Sequence, residues 1–509
     1  MHAQRPSDPS MLLKRARGYA EERRRTALLP DALRPFAPSR ITWRRGPAPE
    51  GTEWAPSPPG ALPVLGHMAT MQLDPAAMLR QFIELRRRYG DVVRFEFGSL
   101  DTHLVSSPEL IRQILQASHH DFSKLTRGVY KLRLVLGNGL LTSSGPSWLR
   151  NRRIAQPAFH RKRIASFAGT MGRCAGEMVQ AWSDGEEPDI HEEMMKVTLR
   201  IIGLTMLSLD VTERADEIGS AVSFMIEDVN RRLNAPVDLP PPIPTPRNRA
   251  LQASIETLDR VVLGAVERRR KEPAKNDLLG LFMDATDEET GEQMNDAQLR
   301  DEVMTIFLAG HETTANALSW ALYLLGKHPL VTERLHAEVD EVFGEGDLFF
   351  APMDEEARAD ALMEASKRLV YCEKVLKEAM RLYPPAWMTG RCPVGDQVLD
   401  GYHLPDGSLI LTSPFIVHRH PEYWDNPEAF DPERFTPERE KARDRFAYFP
   451  FGGGPRICIG NHFAMLEAKL ILAALALRFE AEPIREAELE PLITLRPKDG
   501  MPMRLRGRA

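Results

Sequence analysis

The residues Phe451-Gly452-Gly453-Gly454-Pro455-Arg456-Ile457-Cys458-Ile459-Gly460 lead straight into a segment whose apolar residues Phe463, Leu466, Leu470, Ala473 and Leu477 have helical spacing. Cys458 therefore stands just ahead of a helix N-terminus. Free amide N–H groups and the positive helix end favour a sulfur anion there, so the thiol pKa is expected to be lowered. The three glycines let the backbone approach a ligand closely and turn amides toward the sulfur, and Arg456 is in reach of a carboxylate on the same face. A structural cysteine beside a glycine-rich turn is the plainer alternative. Against it, Phe451, Gly454, Arg456, Cys458 and Gly460 at this spacing arise by chance in about one in ten thousand chains of this length.

Three further segments stand upstream. In Lys377-Glu378-Ala379-Met380-Arg381-Leu382-Tyr383-Pro384-Pro385, Glu378 and Arg381 share one face of a helix that the prolines stop. Alone, such a pair reads as a solvated surface contact. Phe430-Asp431-Pro432-Glu433-Arg434-Phe435 lies between it and the cysteine. Asp301 to Trp320 reads as a long helix holding Ala309-Gly310-His311-Glu312-Thr313-Thr314, with Met304, Ile306, Phe307 and Leu308 just before. In it Gly310 permits close approach of a ligand, and the Thr313 hydroxyl takes the Ala309 carbonyl from the helix ladder, opening a local kink. In Trp148-Leu149-Arg150-Asn151-Arg152, Trp148 and Arg152 stand four apart and share a face.

Over roughly residues 55 to 505 these segments resemble the cytochrome P-450 family. The resemblance implies a mainly α protein with minor β, a triangular, helix-rich single domain with small β-sheets. It implies haem b (iron protoporphyrin IX) with Cys458 as axial thiolate, Phe451, Gly454 and Gly460 shaping its loop, and Trp148, Arg152 and Arg456 at the propionates. Arg391 is either a further propionate contact or a surface residue. Ala309 and Gly310 would form the dioxygen groove, with Thr313 hydrogen-bonding there and Glu312 relaying protons. Glu378, Arg381 and Arg434 would be structural, since buried charges persist when paired. The implied reaction inserts one oxygen atom from dioxygen into an apolar substrate, by hydroxylation or epoxidation of a fatty-acid-like, terpenoid or steroid molecule. Substrate contacts are expected from the loop around Val129 to Leu141, the helices flanking the prolines from 236 to 246, Met304, Phe307 and Leu308, Ala386, Trp387 and Met388, and Thr494. A haem-thiolate isomerase or dehydratase acting on a peroxide, and a haem-binding protein without turnover, are the competing readings.

The 509 residues carry a formal charge of -6, 43% hydrophobic and 27% charged residues, values of a globular chain with no basic surplus for nucleic acid. Cys174, Cys372, Cys392 and Cys458 are scattered, which argues against a disulfide framework and for a reducing cytoplasm. Neither a membrane span nor a signal-peptide core is visible, and a monomer is expected. With no flavin or nucleotide motif, electrons are expected from a separate ferredoxin and its NAD(P)H-dependent reductase. Arg150, Arg153, Arg161, Lys162 and Arg163, with Lys441, Arg443 and Arg445, would offer that donor a positive face. Residues 1–54 read as a basic, partly disordered extension and 55–509 as the haem domain. Residues 75 to 89 read as a helix. Val92 to Phe97 and Thr102 to Val105 read as strands joined at Gly98, and strand patterning returns after about 395.

Overall fold

The computed structural model describes residues 47–508, apart from short segments at 63–64, 71–73, 98–99, 236–237, 240, 272–276, 288, 290 and 345–347. The arginine-rich runs of the N-terminal extension and the turn at Gly98 lie outside the described residues. Chain packing is already in place at Glu53, whose N–H bonds the Gly401 carbonyl at 3.0 Å.

Helix α1 (Pro75–Tyr89) starts where Asp74 accepts the Ala77 N–H and ends at Gly90, the span its apolar spacing predicts. β1 (Val92–Phe97) pairs antiparallel with β2 (Leu100–Val105), which begins two residues earlier than expected. With β3 (Phe122–Ser123), β4 (Thr389–Pro393) and β5 (Leu409–Thr412) they form a five-stranded sheet in the order β1-β2-β5-β4-β3. Strand structure thus returns at Thr389, ahead of the expected 395. Three two-stranded ladders complete the β content, among them β6 (Leu489–Pro491) against β7 (Leu495–Pro497).

The rest is helical. α2 (Arg127–Leu136) replaces the loop expected from 129: Thr126 caps its start and Gly137, at φ 68°, ends it. This is a helix start-and-stop signature that order along the chain passes over. α3 (Gly145–Ala155), α4 (Ile190–Leu207), α5 (Ala215–Asn234) and α6 (Pro246–Arg269) follow, the proline cluster separating the last two as predicted. α7 (Asp296–Lys327) runs for 32 residues through the centre. It begins five residues before the expected Asp301 because Asn295 and Gln298 form a reciprocal capping box. α7 packs on α4, α6, α8 (Val370–Leu382) and α9 (Asn461–Ala476), and Phe307, Leu318 and Trp320 are wholly buried along it. Apolar surface on all sides is what a central core helix requires. α8 stops ahead of Pro384-Pro385 as predicted, and α9 starts at the residue after Gly460. Among the described residues no helix is long and apolar enough to cross a membrane.

The segment after α2 seats directly on α7. The Asn138 N–H bonds the Asp301 carboxylate at 2.7 Å and the Leu140 N–H bonds Glu302 at 2.8 Å. A Cβ on Gly137 would collide with the Asp301 carboxylate. Gly137→Ala, strained at positive φ and clashing, should cost about 2 kcal/mol. A chemical-denaturation midpoint equal to that of the wild type would show that this segment tolerates lifting off α7.

Candidate functional site

A cavity of about 2370 Å³ lies between α7 and the cysteine loop. From α7, Thr305, Leu308, Ala309, Glu312 and Thr313 line it. Met304 and Phe307, expected at the substrate, do not: both are fully buried in the core. Helical spacing explains this, because 304, 307 and 311 fall on the face toward α4, where Thr198 donates to the His311 carbonyl at 3.1 Å. The Thr313 hydroxyl donates to the Ala309 carbonyl at 2.6 Å, as predicted, yet the helix continues without a break. Gly310 borders the cavity, but the Cβ it lacks would meet Ile202 Cδ1 at 2.9 Å, so its smallness also serves the α4–α7 contact. Ala386, Trp387, Met388 and Thr494 line the cavity as expected. The Thr494 hydroxyl, however, donates to Glu312 Oε1 at 2.6 Å.

Opposite α7, the Cys458 N–H bonds the Phe451 carbonyl at 2.9 Å and closes the loop. The sulfur opens into the cavity. Phe451 and Gly460 line the cavity, whereas Gly454 does not: at φ 67° it lies against the Leu115 carbonyl, and Gly453 lies against the Phe446 ring. These two glycines let the loop press on the protein behind it. The expected pull of the helix end is present in the Gly460 amide but does not set the direction. Enclosure by protein pushes Cys458 up, and the Gly460 amide and the Arg152 charge only partly offset it. A thiolate here calls for a cation bound at the sulfur itself.

Lys124, Arg152, Arg391 and Arg456 face the same cavity. Among the described residues none of the four has a carboxylate partner. Arg152 donates to the Ile457 carbonyl at 3.1 Å, and Arg391 to the Gly390 carbonyl at 2.8 Å. Arg456 donates to the Ser143 carbonyl at 3.0 Å, lies 4.3 Å over the Trp148 ring and keeps its buried Nη1 without a partner. Burial, then repulsion from Arg391, Arg133 and Arg152, brings Arg456 down to about 9. Burial brings Arg391 down to about 10, and burial with the charges of Arg456 and Arg391 holds Lys124 well below the usual lysine range. Cations so gathered need a multiply charged anion. No group of three or more His, Cys, Asp or Glu comes together among the described residues, so a metal bound by Cys458 brings its other ligands with it. An iron macrocycle bearing two carboxylates fits both requirements.

Beneath the cysteine loop, Glu378 accepts from Arg381 Nε at 2.7 Å and Nη2 at 2.8 Å, with Arg434 Nε 3.3 Å away. The Asp431 N–H adds a bond at 2.9 Å. Arg381 also donates to the carbonyls of His418, Pro427 and Ala429. Glu378 and Arg381 are fully buried and Arg434 nearly so, so the surface-pair reading fails. Glu378→Ala leaves Arg381 buried without its counter-charge and should cost about 3–5 kcal/mol. Recovery of soluble protein with a wild-type unfolding midpoint would contradict that.

Sequence reasoning missed Lys124, because a lone lysine at a strand end carries no signal. It also missed Glu467 on α9, a fully buried carboxyl facing Thr314 and pushed by burial up to about 8. Of the basic residues expected to form an open positive face, Arg150 pairs with Glu292, Arg153 with Asp287 and Glu289, and Arg443 lies on the Trp424 ring. Among the described residues Arg161, Lys162, Arg163, Lys441 and Arg445 make no ion pair.

A family model described as Cytochrome P450 matches residues 56–501. The chain is 37% identical over 438 residues to cyclooctatin synthase of Streptomyces melanosporofaciens, covering 85% of this chain and 91% of that one. It is 34% identical over 448 residues to cyclooctat-9-en-7-ol 5-monooxygenase of the same organism, covering 87% and 93%. It is 32% identical over 438 residues to pentalenene oxygenase of Streptomyces avermitilis, covering 85% and 93%. The crystal structure of the cytochrome P450DA heme domain superposes with a TM-score of 0.79 at 28% identity, covering 90% of this chain and 98% of that one.

Proposed function

Because the chain belongs to the cytochrome P450 family, we propose that it is a haem b monooxygenase that inserts one atom of dioxygen into an apolar terpenoid. The observation that carries this reading is one cavity with the Cys458 sulfur on one side, the Thr313–Ala309 hydrogen bond on the other, and four cations that have no carboxylate partner among the described residues. Cys458 would ligate the iron, and Lys124, Arg152, Arg391 and Arg456 would bind the propionates, with Trp148 stacked on Arg456. Bound haem supplies the reductive activation of dioxygen, which thiolate donation assists.

The chain's own residues manage protons and access. The Thr313 hydroxyl, 2.6 Å from the Ala309 carbonyl, stands ready to donate at the dioxygen site by turning from that carbonyl. Glu312, buried beside it, serves as the acid behind the hydroxyl. The substrate side is apolar: Val222, Met225 and Val229 of α5 line it together with Ile306, Trp387 and Leu492. An apolar terpenoid is bound there by area. The terpenoid class draws on the relatives named for cyclooctat-9-en-7-ol and pentalenene. Electrons would come from a ferredoxin, docking on the basic residues left without ion pairs, chiefly Arg161, Lys162 and Arg163.

The reduced carbon monoxide difference spectrum tests the ligand. The Soret band is expected at the strongly red-shifted position of thiolate-ligated haem in the wild type and absent from Cys458→Ala; haem-loaded wild type without that band would sink the assignment. With a ferredoxin system, NAD(P)H and no added peroxide, Thr313→Ala should lower product per electron pair by about tenfold or more. Rearrangement or dehydration of an organic peroxide with no electron donor present would favour the isomerase or dehydratase reading instead.

A further inference from the structure

We propose that Thr494 is the positioning residue for Glu312, and that the hairpin carrying it joins the acid to the walls of the substrate cavity. The functional half of this inference rests on the monooxygenase reading; the structural half does not.

Glu312 is 6% exposed, and the Thr494 hydroxyl gives it a 2.6 Å hydrogen bond. Asn316, one turn further along α7, donates to Thr494 Oγ1 at 3.2 Å. The hydroxyl is thus held from one side and aimed at the carboxylate from the other. Thr494 sits in the turn between β6 and β7, closed by the Leu492 N–H on the Thr494 carbonyl at 3.0 Å. The segment carrying Trp387, a second contact from α7, and α5 fix the same hairpin. Trp387 Nε1 donates to the Leu492 carbonyl at 2.9 Å and Trp320 Nε1 to the Leu495 carbonyl at 3.2 Å. Arg496 bonds Glu490 at 2.7 Å and reaches Glu227 of α5 at 3.0 Å.

Trp387, Leu492 and Ile493 face the cavity, as do Val222 and Met225 on α5. A molecule pressing on that wall presses on the support of Glu312. Around the carboxyl, burial pushes the pKa up, while the Thr494 hydroxyl and the Arg496 charge pull it down. Thr494 therefore sets both the direction and the proton affinity of the acid that serves Thr313.

The test is the infrared carboxyl band of Glu312 in the holoenzyme, assigned by its loss in Glu312→Gln. The protonated band disappears as pH rises through the pKa. In Thr494→Val, which keeps the shape and removes the donor, the midpoint should move up by about one pH unit, and Thr494→Ser should restore it. Peroxide released per NAD(P)H should rise several-fold in Thr494→Val and return in Thr494→Ser. An unmoved midpoint in Thr494→Val overturns the proposal; if that variant does not fold, Thr494→Ala carries the same comparison. The carbon monoxide spectrum of the same samples separates the two readings. A wild type without the thiolate band defeats the monooxygenase reading, while the infrared midpoints still decide whether Thr494 holds Glu312.

Discussion

The buried pairing of Glu378 with Arg381 and Arg434 is the constraint from which the cysteine side of the molecule hangs. A guanidinium without access to water needs partners in its own plane. Arg381 finds two in Glu378 and three in the carbonyls of His418, Pro427 and Ala429. These bonds fasten the irregular stretch from 418 to 434 to α8. The fastening continues onward: the Phe449 N–H bonds His418 Nε2 at 3.0 Å, Trp424 Nε1 bonds the Ala447 carbonyl at 3.2 Å, and Tyr448 reaches the Lys377 carbonyl at 2.9 Å. The loop that presents Cys458 has little regular structure of its own, so its shape is imposed by this scaffold.

Charge arranges the other side of the site by opposite means. Where Glu378 is surrounded by donors, the cavity rim gathers cations that find carbonyls, the Thr389 hydroxyl and a ring face. Such a rim stores repulsion in the empty protein and releases it when an anion enters, so ligand binding stabilises the fold. The thiol follows the same logic, since burial disfavours the anion until a cation binds beside it. Sulfur and rim therefore call for one ligand that is positive at its centre and negative at its edge.

The parts of this arrangement that were legible in the sequence share a feature: residues close in the chain did the work. The proline stop after Leu382, the Thr313 bond to Ala309 four residues back and the placing of Cys458 ahead of α9 all follow from local spacing. What was not legible depended on partners distant in the chain. Spacing put Met304 and Phe307 on α7 but could not say which face α4 would take. Lys124 enters the rim because β3 pairs with β4, a contact between residues about 270 apart in number. The sign of the Cys458 shift depended on how much protein encloses the sulfur, which a helix-end argument leaves out.

The segment from Gly137 to Ser143 does two jobs at once. Leu140 and Leu141 face the cavity, whereas the carbonyls of Thr142 and Ser143 accept from Arg133 and Arg456. Its backbone is clamped on Asp301 and Glu302. A lineage adapting to a new substrate would therefore find this segment a poor place to change, since each alteration in cavity shape also tugs at the cofactor rim. The apolar side chains of Val222, Met225 and Val229 on α5 line the same cavity without a part in that clamp, and are freer to diversify. Drift in substrate preference among descendants of this chain should accumulate there, while 137–143 stays nearly fixed.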